Sequence, residues 1–195
     1  ALSKLDSGSF ELQSETFNLN ALVDELVETY KPAANKKGLT VNTKFAPQLP
    51  EFYVGDNKRL RQVLKNLVVN ALKFTHTGSV DITVDGRLKG KDSVVLFIKV
   101  TDTGIGIAED NHERVFKRFQ QVESGLARKN SGTGLGLALS QEIISFMGGK
   151  ITVESEPGKG SCFVIELTLP VGWPAAAKNE TPGQMMQKAA GQRAA

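Results

Sequence analysis

The apolar run from Val94 to Val100 ends at an aspartate followed by spaced glycines, Asp102-Thr103-Gly104-Ile105-Gly106-Ile107, and that junction limits what the chain can become. A run this rich in Val, Leu, Ile and Phe reads as a buried strand. A carboxylate at the mouth of a buried strand is costly unless something donates hydrogen bonds to it. The glycines after it remove side chains and permit backbone angles closed to other residues. Two readings fit this stretch: a capped turn, or a site where a ligand lies along bare backbone while an amino group meets the carboxylate. The other walls of such a site have to come from elsewhere in the chain.

A chain of 195 residues suits one domain with a tail and can bury a substantial core. Its net charge of +3 is too small to argue for nucleic acid or an anionic membrane as a partner. Cys162 is the only cysteine, which excludes a disulfide framework and a thiolate metal cluster and makes a reducing compartment the default. The two histidines, His76 and His112, cannot build a His-rich metal centre between them. No apolar run reaches membrane-spanning length, and no stretch of these residues is expected to act as a signal peptide. Ala1 to Leu5 reads like the end of a longer helix, so the chain is expected to be a fragment, with residues 1–16 a linker from an upstream element.

Alternation at Phe10 and Leu12 predicts a brief edge strand. From Asn18, apolar residues at Leu19, Leu22, Val23, Leu26, Val27 and Tyr30 keep helical spacing towards Gly38, with Pro32 expected to kink or shorten the helix. Leu39, Val41, Thr43 and Phe45 alternate as a strand, and Tyr53-Val54 reads as a short one. Asp56 caps a helix burying Leu60, Val63, Leu64, Leu67, Val68, Ala71 and Leu72. A strand with Val80, Ile82 and Val84 follows, then a polar turn over 88–92 and the buried strand. Residues 109–116 are expected to form a short helix, and 120–131 a mobile loop. Gly132 opens a helix that stops at Gly148-Gly149, and two strands, 150–154 and 162–169, close the domain at Pro170. Residues 171–195, rich in Ala, Gln, Lys and Gly, read as a flexible tail or linker. The fold class is α+β: a two-layer sandwich with a mixed sheet and helices on one face.

Asn66 and Asn70 lie one turn apart on the capped helix, and Lys73 joins them on the same face. Asparagine is a poor residue for a helix interior, so this stripe is either a solvated face or an amide-lined site. An amide oxygen can complete the oxygen shell of Mg²⁺, which takes few protein ligands and draws the rest from phosphates and water. Gly132-Thr133-Gly134-Leu135-Gly136-Leu137 enters a helix N-terminus, where free N–H groups and the helix dipole favour phosphate oxygens. It is neither a dinucleotide fingerprint nor a P-loop, since Leu137 holds the third glycine's place and no Gly-Lys-Ser/Thr follows.

Taken with Phe116-Lys117-Arg118-Phe119, these pieces resemble the ATP-binding catalytic domain of sensor histidine kinases, within the superfamily shared with gyrase, Hsp90 and MutL. The stretch Asp56-x-x-Arg59-x-x-Gln62-x-x-x-Asn66-Leu-x-x-Asn70-Ala-x-Lys73-Phe74-Thr75 is similar to that family's asparagine box. Asp102 to Ile107 resembles its first glycine box, Phe116-x-x-Phe119 its phenylalanine box, and Gly132 to Leu137 its second glycine box. Gly158-x-Gly160-Ser161-x-Phe163 is similar to its closing turn and strand. The resemblance covers 17–170 and implies a Bergerat-type ATP-binding fold with ATP and Mg²⁺ as cofactors. It implies that Asp102 accepts from the adenine amino group, with Ser161 assisting through water. Gly104 and Gly106 then let the base lie close, and Ile107, Phe119 and Leu137 pad it. It places Mg²⁺ on Asn70 with Asn66 beside it, Lys73 and the 132–137 backbone near the phosphates, and Arg118 as the cation for the transferred γ-phosphoryl group. Asn66, Lys73 and Arg118 are thus the catalytic candidates.

ATP-hydrolysing branches of the superfamily carry a glutamate where this chain has Asn66, and a neutral amide cannot act as a general base. The resemblance therefore implies phosphoryl transfer to histidine ahead of an ATP-hydrolysing clamp or a serine-phosphorylating anti-sigma-type kinase. The implied partners are a histidine-bearing dimerisation domain of the same parent protein and a response regulator. The fragment is then a monomer and the parent a homodimer, the catalytic domain cytoplasmic even where the parent is membrane-anchored. Neither His76 nor His112 has the long helical setting of a phosphoacceptor.

Overall fold

The computed structural model describes residues 11–118 and 135–173. The sequence order of its strands is β1 (Glu15–Asn18), β2 (Thr40–Phe45), β3 (Phe52–Gly55), β4 (Ser79–Lys89), β5 (Ser93–Asp102), β6 (Lys150–Glu156) and β7 (Gly160–Pro170). The helices are α1 (Leu19–Lys36) and α2 (Asn57–Phe74) ahead of β4, and α3 (Gly136–Phe146) between β5 and β6. Five strands form one sheet in the order β2-β4-β5-β7-β6, with β2 parallel to β4 and the other pairs antiparallel. β1 and β3 make a separate antiparallel pair. This is the mixed, two-layer α+β arrangement expected.

Strand residues alternate faces, and the register turns that rule into transverse rows across the sheet. One inward row reads Val84, Ile98, Ile165, Ile151, and the next reads Ile82, Val100, Phe163, Val153. Opposite them pack the buried faces of α1 (Leu19, Leu22, Val23, Leu26) and α2 (Leu60, Val63, Leu64, Leu67, Val68). Each such side chain contributes about 1.5–3 kcal/mol by leaving water, so the core sits between the sheet and the helices. The far face of the sheet carries exposed Asp85 and Lys99.

Both long helices start where their caps lie. The Asn18 side chain accepts from Ala21 N–H at 2.9 Å, and that of Asp56 accepts from Arg59 N–H at 2.9 Å. Several local expectations are corrected. α1 is not shortened at Pro32 but continues to Lys36, with Ala34 of its last turn fully buried. Leu12 is 43% exposed and outside any strand; the early strand is Glu15–Asn18, paired with β3 rather than with the main sheet. β4 runs on to Lys89, so the turn is shorter than 88–92, with Gly90 at φ 68°. Residues 109–116 form two 3₁₀ turns, Glu109–Asn111 and Arg114–Phe116, because the stretch is too short and too exposed for a helix to be stabilised by packing. Past Pro170, Val171 donates to Asp92 O and Gly172 to Phe52 O, each at 2.8 Å. The expected 120–131 loop, the linker before residue 11 and the tail beyond residue 173 lie outside the described residues.

Candidate functional site

The inner face of the sheet changes character in its last row. There the register aligns Val80, Asp102, Ser161 and Ser155 across β4, β5, β7 and β6. Asp102 and Ser161 are 6% and 7% exposed, so a carboxylate and a hydroxyl stand at the end of an apolar layer. Burial pushes the Asp102 carboxyl above its usual range, while backbone hydrogen bonds from Gly104 and Ser161 act the other way. The Gly104 bond measures 2.8 Å. Among the described residues no cation pairs with Asp102, so two backbone N–H groups are the donors that hold its carboxylate in place.

The glycine loop after Asp102 is gripped from two sides. Ile105 N–H donates to Phe74 O at the end of α2 at 3.3 Å, and Gly158 N–H donates to Ile105 O at 2.8 Å. Gly106 sits at φ 69° with Glu156 O and Pro157 where a side chain would begin, and a Cβ on Gly104 would meet Phe74 O at 2.5 Å. Both glycines are thus demanded by neighbouring backbone as well as by any ligand. Ile107 is half-buried at the core's edge, and its N–H donates to Ser155 Oγ at 2.8 Å.

On α2, Asn66, Asn70 and Lys73 share one half-buried stripe. Asn66 Nδ2 donates to Ser140 Oγ on α3 at 3.0 Å, and its Oδ1 occupies the space a Cβ on Gly136 would need. Gly136 therefore lets the start of α3 press on α2. Asn70 is half-buried and makes no hydrogen bond to another described residue. Lys73 Nζ lies 5.0 Å from the Phe74 ring centroid. Leu135 precedes α3 without a side-chain cap, leaving the first N–H groups of that helix for another acceptor. Leu137 is half-buried beside the core. Arg118 donates to Glu142 of α3 through Nε and a terminal nitrogen, each at 2.8 Å, and Phe116 packs edge-on against Phe163 with centroids 6.2 Å apart. Phe119, Gly132, Thr133 and Gly134 lie outside the described residues. Asp102, Gly104, Gly106, Ile107 and Ser161 meet at one end of the sheet, and contacts through Phe74 and Gly136 join them to the Asn66–Lys73 stripe and the start of α3.

Three contributors escaped the sequence reading. Ser155 binds Ile107 N–H; its only sequence signal is a polar residue breaking the inward Ile151, Val153 alternation. Lys37 Nζ donates to Leu72 O at 2.6 Å, covering the carbonyl end of α2, a contact that depends on where α1 stops. Thr103 Oγ1 donates to Thr77 O at 3.0 Å and accepts from Ser79 N–H at 3.1 Å, pinning the loop after α2 to the glycine box.

Among the described residues there is no group of three or more His, Cys, Asp and Glu that could hold a metal ion. No helix of those residues is long and apolar enough to cross a membrane.

Comparison with known proteins bears on the family and the fold. The chain is 38% identical over 167 residues to the signal transduction histidine-protein kinase BarA of Escherichia coli K12, covering 86% of this chain and 18% of BarA. It is 41% identical over 168 residues to the sensor histidine kinase GacS of Pseudomonas protegens, again covering 86% and 18%. It therefore spans less than a fifth of these relatives. Full-length ShkA in complex with AMPPNP superposes with a TM-score of 0.76 at 31% identity, covering 88% of this chain and 34% of ShkA. The nucleotide-free catalytic domain of the histidine kinase ThkA gives a TM-score of 0.63 at 28% identity, covering 82% and 98%. The profile of the histidine kinase-, DNA gyrase B-, and HSP90-like ATPases matches residues 55–171, and with the shared fold this shows that the chain belongs to that family, as an ATP-binding domain of the histidine kinase type.

Proposed function

We propose that this domain binds Mg-ATP and passes the γ-phosphoryl group to a histidine on a dimerisation domain of its parent sensor kinase, for onward transfer to a response regulator. The observation that carries the reading is the buried Asp102 carboxylate, with no cation among the described residues paired to it, at the polar end of the inner sheet face. A carboxylate has about four acceptor sites, so beside the Gly104 and Ser161 N–H groups it can still accept from an adenine amino group. Guanine offers an oxygen in the same place, so two acceptors would face each other, and a site built on such a pair rejects the mismatch strongly.

The remaining groups fit the other end of a nucleotide. The Asn70 amide oxygen suits a hard cation that keeps phosphate and water ligands, and bound Mg²⁺ supplies charge neutralisation on the triphosphate. Asn66 joins α2 to α3, Lys73 contributes positive charge, and the uncapped start of α3 at Leu135, Gly136 and Leu137 offers backbone donors to phosphate. Phosphoryl transfer rests on positioning and charge stabilisation, the part we assign to Arg118; its guanidinium side chain is 40% exposed beside Glu142. No carboxylate occupies the Asn66 position, which favours transfer over hydrolysis. His76 is exposed past the end of α2, and His112 Nε2 sits 3.1 Å from Ile107 O in a turn. Neither stands on a long helix, so the acceptor belongs to another segment. We place the domain in the cytoplasm as a monomer, its parent a dimer through the acceptor hairpin.

Incubation with γ-labelled ATP and a separately produced histidine hairpin tests the reading. Label should appear on the hairpin and not stably on this chain. Phosphate release without transfer would replace the proposal with a clamp-type ATPase, and label on a partner serine with an anti-sigma-type kinase.

A further inference from the structure

We infer that Ser155 is a positioning residue for purine selection, setting the direction of the Ser161 hydroxyl beside Asp102. This rests on the reading of Asp102 as the purine anchor.

Ser155, Ser161 and Asp102 occupy one transverse row over three adjacent strands, and residues paired across antiparallel strands share a face. All three side chains therefore belong to the inner face. Ser155 Oγ lies 2.8 Å from Ile107 N, 2.8 Å from Gly160 O and 2.9 Å from Ser161 Oγ. A hydroxyl has one proton to donate and two lone pairs. The Ile107 N–H occupies one lone pair, so the Ser155 proton goes either to Gly160 O or to Ser161 Oγ.

The choice sets what Ser161 shows the ligand. With the proton on Gly160 O, Ser161 donates back to Ser155 and presents lone pairs. With the proton on Ser161 Oγ, the Ser161 proton is released towards the site. Adenine carries an amino donor at position 6 and an acceptor at N1, whereas hypoxanthine carries an oxygen at position 6 and N1–H. Asp102 as acceptor and Ser161 as donor, directly or through water, match adenine at both positions. In the arrangement with its proton on Ser161 Oγ, Ser155 turns Ser161 into a reader of N1, and by holding Ile107 N–H it keeps the glycine loop at a fixed distance from that reader.

Calorimetry of wild type, Ser155→Ala, Ser155→Thr and Ser161→Ala with Mg-ATP and Mg-ITP tests the inference. Ser155→Ala should weaken ATP about five-fold, the scale of one net hydrogen bond, leave ITP nearly unchanged and so narrow the preference. Ser155→Thr, which keeps the hydroxyl, should retain the wild-type ratio. In the Ser161→Ala background, Ser155→Ala should leave the ratio where it stands. Equal weakening of both nucleotides would reduce Ser155 to a structural tie and overturn the inference, as would an unchanged ratio. Should the alanine variant fail to fold, Ser155→Val, matching Val153 on the same strand face, carries the same expectations. Failure of the underlying reading looks different: wild type itself would show no preference for ATP, and Asp102→Asn would leave ATP affinity intact.

Discussion

Asp102 combines a demand of the fold with a demand of the ligand, and the two pull in opposite directions. Burial raises its folded pKa above the unfolded value, so the folded protein keeps a proton that the unfolded chain has released. The stability this contributes is fully present below the ordinary carboxylate pKa and is lost as pH rises through the raised value. Adenine binding needs the ionised acceptor and so improves over the same interval. Asp102→Asn should weaken ATP by about 2 kcal/mol, or about 30-fold, the scale of a hydrogen bond to a charged group. It should also abolish the portion of the pH dependence that belongs to this carboxyl. Calorimetry across the acid range, with wild type and variant side by side, checks both; parallel pH profiles would remove Asp102 from the adenine contact. At this scale the aspartate was legible because a charge closing an apolar run is conspicuous. Ser155 was not, since a lone serine means nothing until the register sets it across from Ser161.

At the scale of elements, α2 is the part most completely readable from sequence: its cap at Asp56 and its seven buried positions all lie where the apolar spacing puts them. What spacing cannot reveal is how its ends are tied. Asp56 is 5% exposed, and besides Arg59 N–H it accepts from Gln13 N–H at 3.0 Å, a residue 43 positions away. One carboxylate thus closes the N-terminal turn of α2 and fastens the segment entering the domain. At the other end Thr75 Oγ1 donates to Ala71 O at 2.7 Å, Lys37 covers Leu72 O, and the glycine loop takes Phe74 O. Asp56→Ala removes a cap and leaves two backbone donors without their acceptor, which should lower unfolding free energy by about 2 kcal/mol. Urea unfolding measures it, and a loss within the error of an exposed substitution would show that water satisfies both donors. The short turns at 109–116 were misread as a helix because local pattern does not reveal that none of their residues is buried against the core.

Over the whole molecule, the candidate site is assembled from α2, the β5 loop, the β6–β7 hairpin and the start of α3, so a nucleotide bridging them should stabilise the fold as a unit. A ligand that binds only the folded state adds RT ln(1 + [L]/Kd), about 2.7 kcal/mol at a hundred times Kd. For a domain of this size that is a rise of roughly 5–10 °C in Tm. Replacing Mg²⁺ with a chelator should remove part of the rise, leaving what the base and uncapped helix provide. Asn70 and Asp102 lie at opposite ends of the proposed ligand, and their variants should therefore fail differently. Asn70→Ala should narrow the gap between the rise with Mg-ATP and that with chelated ATP, because the metal loses its protein oxygen and keeps only its phosphate and water ligands. Asp102→Asn should lower both rises and keep the gap between them. Thermal scans of the two variants under the two conditions form a closed comparison. A full Mg²⁺ increment in Asn70→Ala would move the metal to another residue, since an amide that holds the ion cannot be deleted without reducing the part of the stabilisation that runs through the protein.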